Sequence, residues 1–406
     1  MKTIIIASLF FILIVTALIL LLTWVRSKLV SEGEVTVHLL PDGSRDIRVI
    51  PGETLLNALV GHGVYLPSSC GGKGTCATCK CRVLDGGGEP LPTEQGVLSP
   101  KMLRRGMRLA CQLKVRQEMA LELPEGLLDV RHYACRVRSN RNLTATMKEL
   151  VLELPENAPF SFKAGGYIQI SCEPQTIDYA DIPIDEKYEP VWKAQHWREL
   201  KAEIAEPLTR AYSMANYPDE AGLVILNIRL ATPPKAGVPT GKMSSYLFHL
   251  KEGDTVDVSG PFGDFFVQSK DCELCFIGGG AGMAPMRSHI FDQLKRLNTG
   301  RKITFWYGAR DLSQAFYVDE FDELARLHPN FSWKLALSNA EPDDPEDIPR
   351  GFVHEVLFAQ YIKDHPCPEA VEYYLCGPPR MLQACCKMLD ENGVDADHIF
   401  YDDFGS

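Results

Sequence analysis

The chain lacks a surplus of positive charge. Its 406 residues carry 42 Lys and Arg against 53 Asp and Glu, a formal net charge of −11, which argues against nucleic acid, whose phosphates demand basic patches. It also lacks a regular disulfide framework. Thirteen cysteines is an odd number in a large chain, and Cys135, Cys172, Cys272 and Cys275 fall at no repeating interval, so a reducing compartment is expected. Nothing resembles a general base or an activated nucleophile. What remains is a hydrophobic fraction of 45%, ordinary for globular domains, and a length that suggests two to four of them.

Charge is missing locally too, from Thr3 to Val25, where Ile, Leu, Phe and Val dominate. A helix of about 20 such residues crosses a hydrocarbon core of about 30 Å. Trp24 then stands where an aromatic interface anchor belongs, followed by Arg26 and Lys28. A cleaved signal peptide needs a shorter apolar run and a small-residue cleavage site, and LTWVRSKL offers neither. Residues 1–28 are therefore expected to be a retained transmembrane anchor.

The rest of the chain is organised around CGGKGTCATC, Cys70 to Cys79, completed by a remote Cys111. Cys70, Cys76 and Cys79 at C-x5-C-x2-C spacing on a glycine-rich loop suit a [2Fe–2S] cluster, because soft thiolates select iron–sulfur chemistry and glycines let amides turn toward the sulfides. The alternatives are a structural zinc site or plain buried thiols, but zinc sites normally pair two CxxC-like elements and no second pair surrounds Cys111. Cys81 reads as a core residue. Around the loop, EVTVHLL, PDGS and DIRVI read as a β-hairpin. Thr54 is the expected N-cap of the helix TLLNALVGHG, ended by Gly61 or Gly63, and LACQLKV reads as a returning strand. Over residues 33–125 this order resembles the β-grasp [2Fe–2S] ferredoxin family, some of whose members share the longer cysteine loop. The resemblance implies Cys70, Cys76, Cys79 and Cys111 as the cluster ligands.

Residues 126–263 hold short alternating segments, YACRVRSN, ELVLEL, YIQIS, LVILNIRLA and DTVDVSG, which predict an antiparallel β-barrel. Within it RAYS, Arg210 to Ser213, resembles the R-x-Y-[ST] motif of the ferredoxin-NADP-reductase family. The resemblance implies an FAD site in which Arg210 faces pyrophosphate, Tyr212 offers its ring and Ser213 bonds the redox-active edge of the isoalloxazine. GKMSSYLFHL resembles the family's second segment. Gly241 permits close approach to a phosphate, and Lys242, Met243 and Ser244 place amides at a helix N-terminus. Read without the resemblance, these are an ordinary strand and an N-capped amphipathic helix. Between Cys172 and Pro207 lies an insertion with nine acidic and four basic residues plus Trp192 and Trp197, its last part helical in pattern. It reads either as a solvated excursion or as a docking element for a partner.

Residues 264–406 contain CELCFIGGGAGMAPMRS from Cys272 to Ser288, a buried strand, a glycine-rich turn and a helix, the order of a βα phosphate-binding unit. Strict GxGxxG spacing is absent. The run resembles that of the ferredoxin reductases, implying NADH contacts at Gly278, Gly279, Gly280, Ala281, Gly282 and Met283. A second strand ends at Tyr307, Gly308, Ala309 and Arg310, and a third at Cys376, Gly377, Pro378 and Pro379, matching the family's C-G-P-x segment, with Cys376 beside the nicotinamide. At the C-terminus Asp402 and Phe404 match an acidic-x-aromatic pair that covers the flavin. After Arg310 the chain continues DLSQAFYVDEF with no further base, so NADH is favoured over NADP.

The fold class expected is thus multidomain: a transmembrane helix, a β-grasp ferredoxin domain, a flavin β-barrel and a Rossmann-like parallel-sheet domain. Modules in this order resemble two groups, reductase components of bacterial aromatic monooxygenases and the F subunits of sodium-translocating NADH:quinone oxidoreductases. The anchor, the acidic insertion and the match through nearly the whole chain favour the second. That resemblance implies hydride from NADH to FAD, single electrons to the 2Fe-2S cluster, and onward transfer through integral membrane partner subunits to ubiquinone. The location implied is a bacterial inner membrane with the cofactor domains cytoplasmic. Sodium coupling would belong to the partners, since one apolar helix without a charge cannot conduct ions. A non-enzymatic redox sensor is the remaining alternative.

Overall fold

The computed structural model describes residues 11, 13–20, 33–40, 45–68, 72–75, 77–123, 130–233 and 238–402. Residues 11 and 13–20 are helical; the rest of the expected Thr3–Val25 span lies outside the described residues. Among the described residues, no helix is long and apolar enough to cross a membrane. The chain divides into two compact units, one ending at Asp129 and one beginning at Val130.

The first unit is built on strands β1 (Val35–Leu40), β2 (Arg45–Val49), β3 (Lys80–Asp85), β4 (Met107–Leu109) and β5 (Met119–Glu122), ordered β2-β1-β5-β3-β4. β1 and β2 form the expected antiparallel hairpin, and β1 runs parallel to β5. Strand alternation sends Val37, Leu39, Ile47 and Val49 into the core. Thr54 caps the helix Leu55–Gly61, accepting from the Asn57 amide at 3.3 Å. LACQLKV is not the strand its alternation suggests: β4 ends at Leu109, and Ala110 to Gln112 turn the chain. β4 is held by a buried pair. Arg108 donates to Glu94 at 2.8 Å and to the carbonyls of Gly87 and Gly88, while the Leu109 amide donates to the second Glu94 oxygen. Burial opposes the Glu94 charge, but Arg108 and the Leu91 and Leu109 amides outweigh it and hold the carboxyl below its usual range.

The second unit begins with β6 (Arg131–Thr144), β7 (Met147–Glu153), β8 (Tyr167–Cys172), β9 (Gln175–Asp178), β10 (Lys201–Ile204), β11 (Leu208–Ser213), β12 (Leu223–Arg229) and β13 (Thr255–Phe262). Six of these form an antiparallel half-barrel ordered β11-β8-β13-β6-β7-β12. Its edge strands meet at a bridge between Met214 and Leu226. The insertion packs onto this barrel. β9 and β10 pair as a ribbon, so the KAEI stretch is a strand and not the expected helix end. Trp192 is fully buried, donates to the Ala145 carbonyl at 2.8 Å, and carries Trp197 edge-on at 5.7 Å. Arg198 stacks over the Trp192 ring and binds the Tyr179 and Ile182 carbonyls and Glu189. The segment is folded in, and Trp192 anchors it to its own barrel.

The same unit continues with β14 (Leu274–Gly279), β15 (Ile303–Ala309), β16 (Phe331–Leu337), β17 (Glu372–Cys376) and β18 (Ile399–Asp402), a parallel sheet ordered β16-β15-β14-β17-β18. Both faces are covered. Leu274 and Phe276 pack into one core cluster, Cys275 and Ile277 into another.

Candidate functional site

In the first unit the Sγ atoms of Cys79 and Cys111 lie 3.2 Å apart, both residues buried. Cys79 ends the cysteine loop just before β3 and Cys111 sits in the turn after β4, so pairing of β3 with β4 brings them together. Gln112 ties this turn to the loop by donating to the Gly72 carbonyl at 3.1 Å. Gly72 and Gly74 adopt positive φ, and a Cβ on Gly74 would meet the Gln112 side chain at 2.8 Å. Cys70 and Cys76 lie outside the described residues. Cys81 is buried with its thiol toward the Arg108 carbonyl at 4.0 Å, and burial pushes that thiol up to about 12.

In the second unit β11 carries the Arg-x-Tyr-Ser segment. Arg210 is half-buried, with one guanidinium nitrogen on the Thr209 carbonyl at 2.7 Å. Burial pushes the Tyr212 hydroxyl up. Ser213 Oγ donates to Asp402 Oδ2 at 3.1 Å, and Asp402 is in register with Cys376 on the neighbouring strand. Three strand ends, of β11, β17 and β18, therefore bring Ser213, Cys376 and Asp402 together. Phe404 lies outside the described residues.

The helix Lys242–His249 starts at Gly241, where a Cβ would lie 2.5 Å from Ala231 Cβ and 2.7 Å from Ser244 Oγ. Ser244 Oγ accepts from the Ala231 amide and donates to the Gly241 carbonyl. Its hydroxyl thus shapes the turn, and the first amides of the helix, from Lys242, Met243 and Ser244, are the groups that helix geometry leaves for an anion.

The glycine-rich turn after β14 is a cradle without room for side chains. A Cβ on Gly278 would meet Met286 at 2.9 Å, and one on Gly279 Met381 at 2.8 Å. On Gly282 it would lie 2.1 Å from the Cys376 carbonyl oxygen, because the start of the helix Met283–Phe291 lies against the end of β17. On Gly377 it would meet Met381 at 2.4 Å. Gly280 differs: its φ is +56° and a Cβ there meets nothing within 4 Å. Ala281 is half-buried beside it, Met283 is core, and Pro378 precedes the helix Pro379–Glu391. At the end of β15, Gly308 and Ala309 are half-buried and Arg310 is exposed. The Tyr307 side chain instead points into the core, stacked on Phe305 at 6.0 Å, and only the backbone there reaches the strand's carboxyl end.

Comparisons with known proteins find three domain models along the chain. A model described as a 2Fe-2S iron-sulfur cluster binding domain matches residues 39–116, an oxidoreductase FAD-binding domain 193–267, and an oxidoreductase NAD-binding domain 276–387. The F subunit of the Na(+)-translocating NADH-quinone reductase of Methylococcus capsulatus is 50% identical over 408 residues, all of both chains. The chain belongs to the family of these F subunits. Relatives of the same name from Psychrobacter cryohalolentis and Pseudomonas aeruginosa are each 49% identical, the first over 97% of both chains and the second over 97% of this chain and 96% of its own. Among solved structures, the Amycolatopsis cytochrome P450 reductase GcoB is similar with TM-score 0.62 and 26% identity, covering 91% of this chain and 98% of that one. A ferredoxin reductase in carbazole 1,9a-dioxygenase, 23% identical with TM-score 0.60 over 92% and 98%, shares the fold.

The described residues fit the cofactors these domains imply. Two buried sulfurs converge as soft donors for iron. Glycines that would clash if they carried a side chain leave the turn as bare backbone, the surface that close approach of a dinucleotide phosphate requires.

Proposed function

We propose that the chain is the NADH-oxidising, electron-input component of a membrane sodium-translocating NADH:quinone reductase. The observation that carries this reading is the convergence of Ser213, Cys376 and Asp402 at the ends of three strands, between the flavin segment and the glycine turn. Bound at these residues, FAD would supply two-electron acceptance from NADH with one-electron release, and a 2Fe-2S cluster would supply one-electron transfer toward partner subunits and ubiquinone.

The chain's residues hold and orient. Arg210 would pair with the pyrophosphate, Tyr212 would lie along the ring system, and Gly241 with the amides of Lys242, Met243 and Ser244 would take a phosphate. Gly278, Gly279, Gly280, Ala281, Gly282 and Met283 would receive NADH, with Gly308, Ala309 and Arg310 at its adenosine end and Cys376, Gly377 and Pro378 at the nicotinamide. Ser213 and Asp402 form the polar edge at the reacting face, and Phe404 would cover the ring. Cys70, Cys76, Cys79 and Cys111 would ligate iron. In domain terms, 33–125 holds the cluster, 126–263 FAD and 264–406 NADH. Residues 1–28 would anchor the chain once across a bacterial inner membrane, cofactor domains in the cytoplasm, with sodium coupling left to integral membrane partners.

The rival, a reductase component of an oxygenase, draws on the solved-structure likenesses, but full-length relatives at about half identity favour the quinone reductase. Co-purification with integral membrane subunits, and not with an oxygenase, is expected. A sharper test is Cys76→Ala. The low-temperature EPR signal should vanish while NADH-to-ferricyanide activity stays within about twofold, since hydride transfer precedes the cluster. Loss of NADH oxidation in a variant that still holds FAD would contradict the order.

A further inference from the structure

One helix serves both halves of the second unit. Met283–Phe291 begins at the glycine-rich turn, and every one of its residues is buried. Two consecutive side chains on it grip the chain just beyond the flavin segment. Arg287 donates to the Ala215 carbonyl at 2.9 Å, and Ser288 Oγ donates to the Asn216 carbonyl at 2.6 Å. Ala215 and Asn216 follow Ser213 directly through Met214, the residue that bridges to β12. The Arg287 guanidinium is fully engaged: it meets both Glu220 oxygens at 3.1 and 3.2 Å and Glu320 at 3.0 Å. Phe291 lies under its plane at 4.3 Å and Tyr317 at 5.4 Å. Glu220 belongs to the barrel side and Glu320 to the helix Val318–Leu327 of the sheet side, so the cation joins carboxylates from both.

We infer that Arg287 and Ser288 are positioning residues that set the distance between the flavin strand and the nicotinamide turn. The inference rests on the proposed placement of FAD at Ser213 and NADH at Gly278–Gly282. A planar, bidentate cation holding two carboxylates and a carbonyl has one low-energy position, which a flexible point charge does not reproduce. Sub-ångström shifts matter at this place because hydride transfer depends steeply on donor–acceptor separation.

The test uses the full chain with FAD and cluster in place, and stopped-flow flavin bleaching by NADH. Wild type must bleach; if it does not, the proposed function itself fails, separately from this inference. Arg287→Gln should lower the bleaching rate at saturating NADH about tenfold or more, with the half-saturating NADH concentration and the flavin content nearly unchanged. The primary isotope effect with NADH deuterated at the transferred hydrogen should rise. Arg287→Lys should restore part of the rate, and Ser288→Ala, which removes the bond to the Asn216 carbonyl and the one accepted from the Gly165 amide at 3.4 Å, should slow it about threefold. Wild-type saturated rates in Arg287→Gln and Ser288→Ala would overturn the inference. So would a loss confined to NADH affinity, or a lower melting temperature with an unchanged saturated rate. Should Arg287→Gln not fold, Arg287→Lys and Ser288→Ala decide on the same readouts.

Discussion

The half-barrel and the parallel sheet of the second unit make their sites in opposite ways. In the barrel, strands such as β10 and much of β6 alternate between buried and exposed, and the candidate flavin strand offers side chains: Arg210, Tyr212 and Ser213. In the sheet, β14 and β17 are buried at every position, and the candidate site lies at strand ends where side chains are missing. A surface that uses side chains tolerates added atoms and suffers from lost ones. A surface made of bare backbone does the reverse.

The largest effect should follow from adding one carbon to the sheet side. Gly282→Ala places a methyl 2.1 Å from the Cys376 carbonyl oxygen, backbone that cannot move without β17. NADH–ferricyanide kcat/KM should fall about 100-fold or more, with clear loss of thermal stability. Activity near wild type would show that bare backbone is not what this turn requires.

On the barrel side, the deletion of a side chain should be costly. Trp192→Ala empties the pocket under the insertion and should destabilise the protein by about 3–5 kcal/mol in denaturant unfolding. A value under about 1 kcal/mol, an ordinary surface effect, would mean the insertion is a detachable surface excursion after all.

Where barrel and sheet meet, His289 packs against Phe265 and Phe276, and burial pushes its pKa down to about 3. The unfolded imidazole binds its proton near 6.5 and the folded one only near 3. Between those values the unfolded state holds more protons, so stability falls as pH drops below 6.5. Relative to His289→Gln, wild type should lose about 1–3 kcal/mol between pH 6.5 and 4.5, with no relative change from pH 7 to 8. Parallel curves for the two proteins would show that this ring is not held neutral. The smallest effect on folding stability is expected at Gly280, whose Cβ would meet no protein atom within 4 Å. Gly280→Ala should cost about 1 kcal/mol of backbone strain at positive φ, in contrast to its neighbour two residues on.

Much of this architecture was legible in the sequence because its signals are local. A period of two marks the hairpin and barrel strands, unbroken apolar runs mark LCFIGG and YYLC, and glycine clusters mark the turns. What escaped was decided by tertiary packing. LACQLKV alternates like a strand, but Ala110 to Gln112 must turn to set Cys111 against Cys79. Trp192 and Trp197 sit among charges and suggest an outward-facing anchor, although Arg198 folds over the Trp192 ring and turns its charge to carbonyls. Tyr307 shares a motif with a strand end, and the same period of two that defines the strand points its ring inward beside Phe305. Arg287 and Ser288 carry no local signal in MAPMRSH, and nothing nearby in sequence announces Glu220, Ala215 or Asn216 as their partners.

The proposed function comes down to a relay in which NADH electrons reach iron through flavin on one polypeptide. It can be watched in an anaerobic titration of the full-length protein with NADH, following the flavin absorption band and the low-temperature EPR spectrum together. The flavin band should bleach at substoichiometric NADH, and a reduced [2Fe–2S] signal should grow in the same steps. A protein that carries both chromophores yet shows cluster reduction with no flavin reduction even at excess NADH, or no response to NADH at all, would be incompatible with the relay.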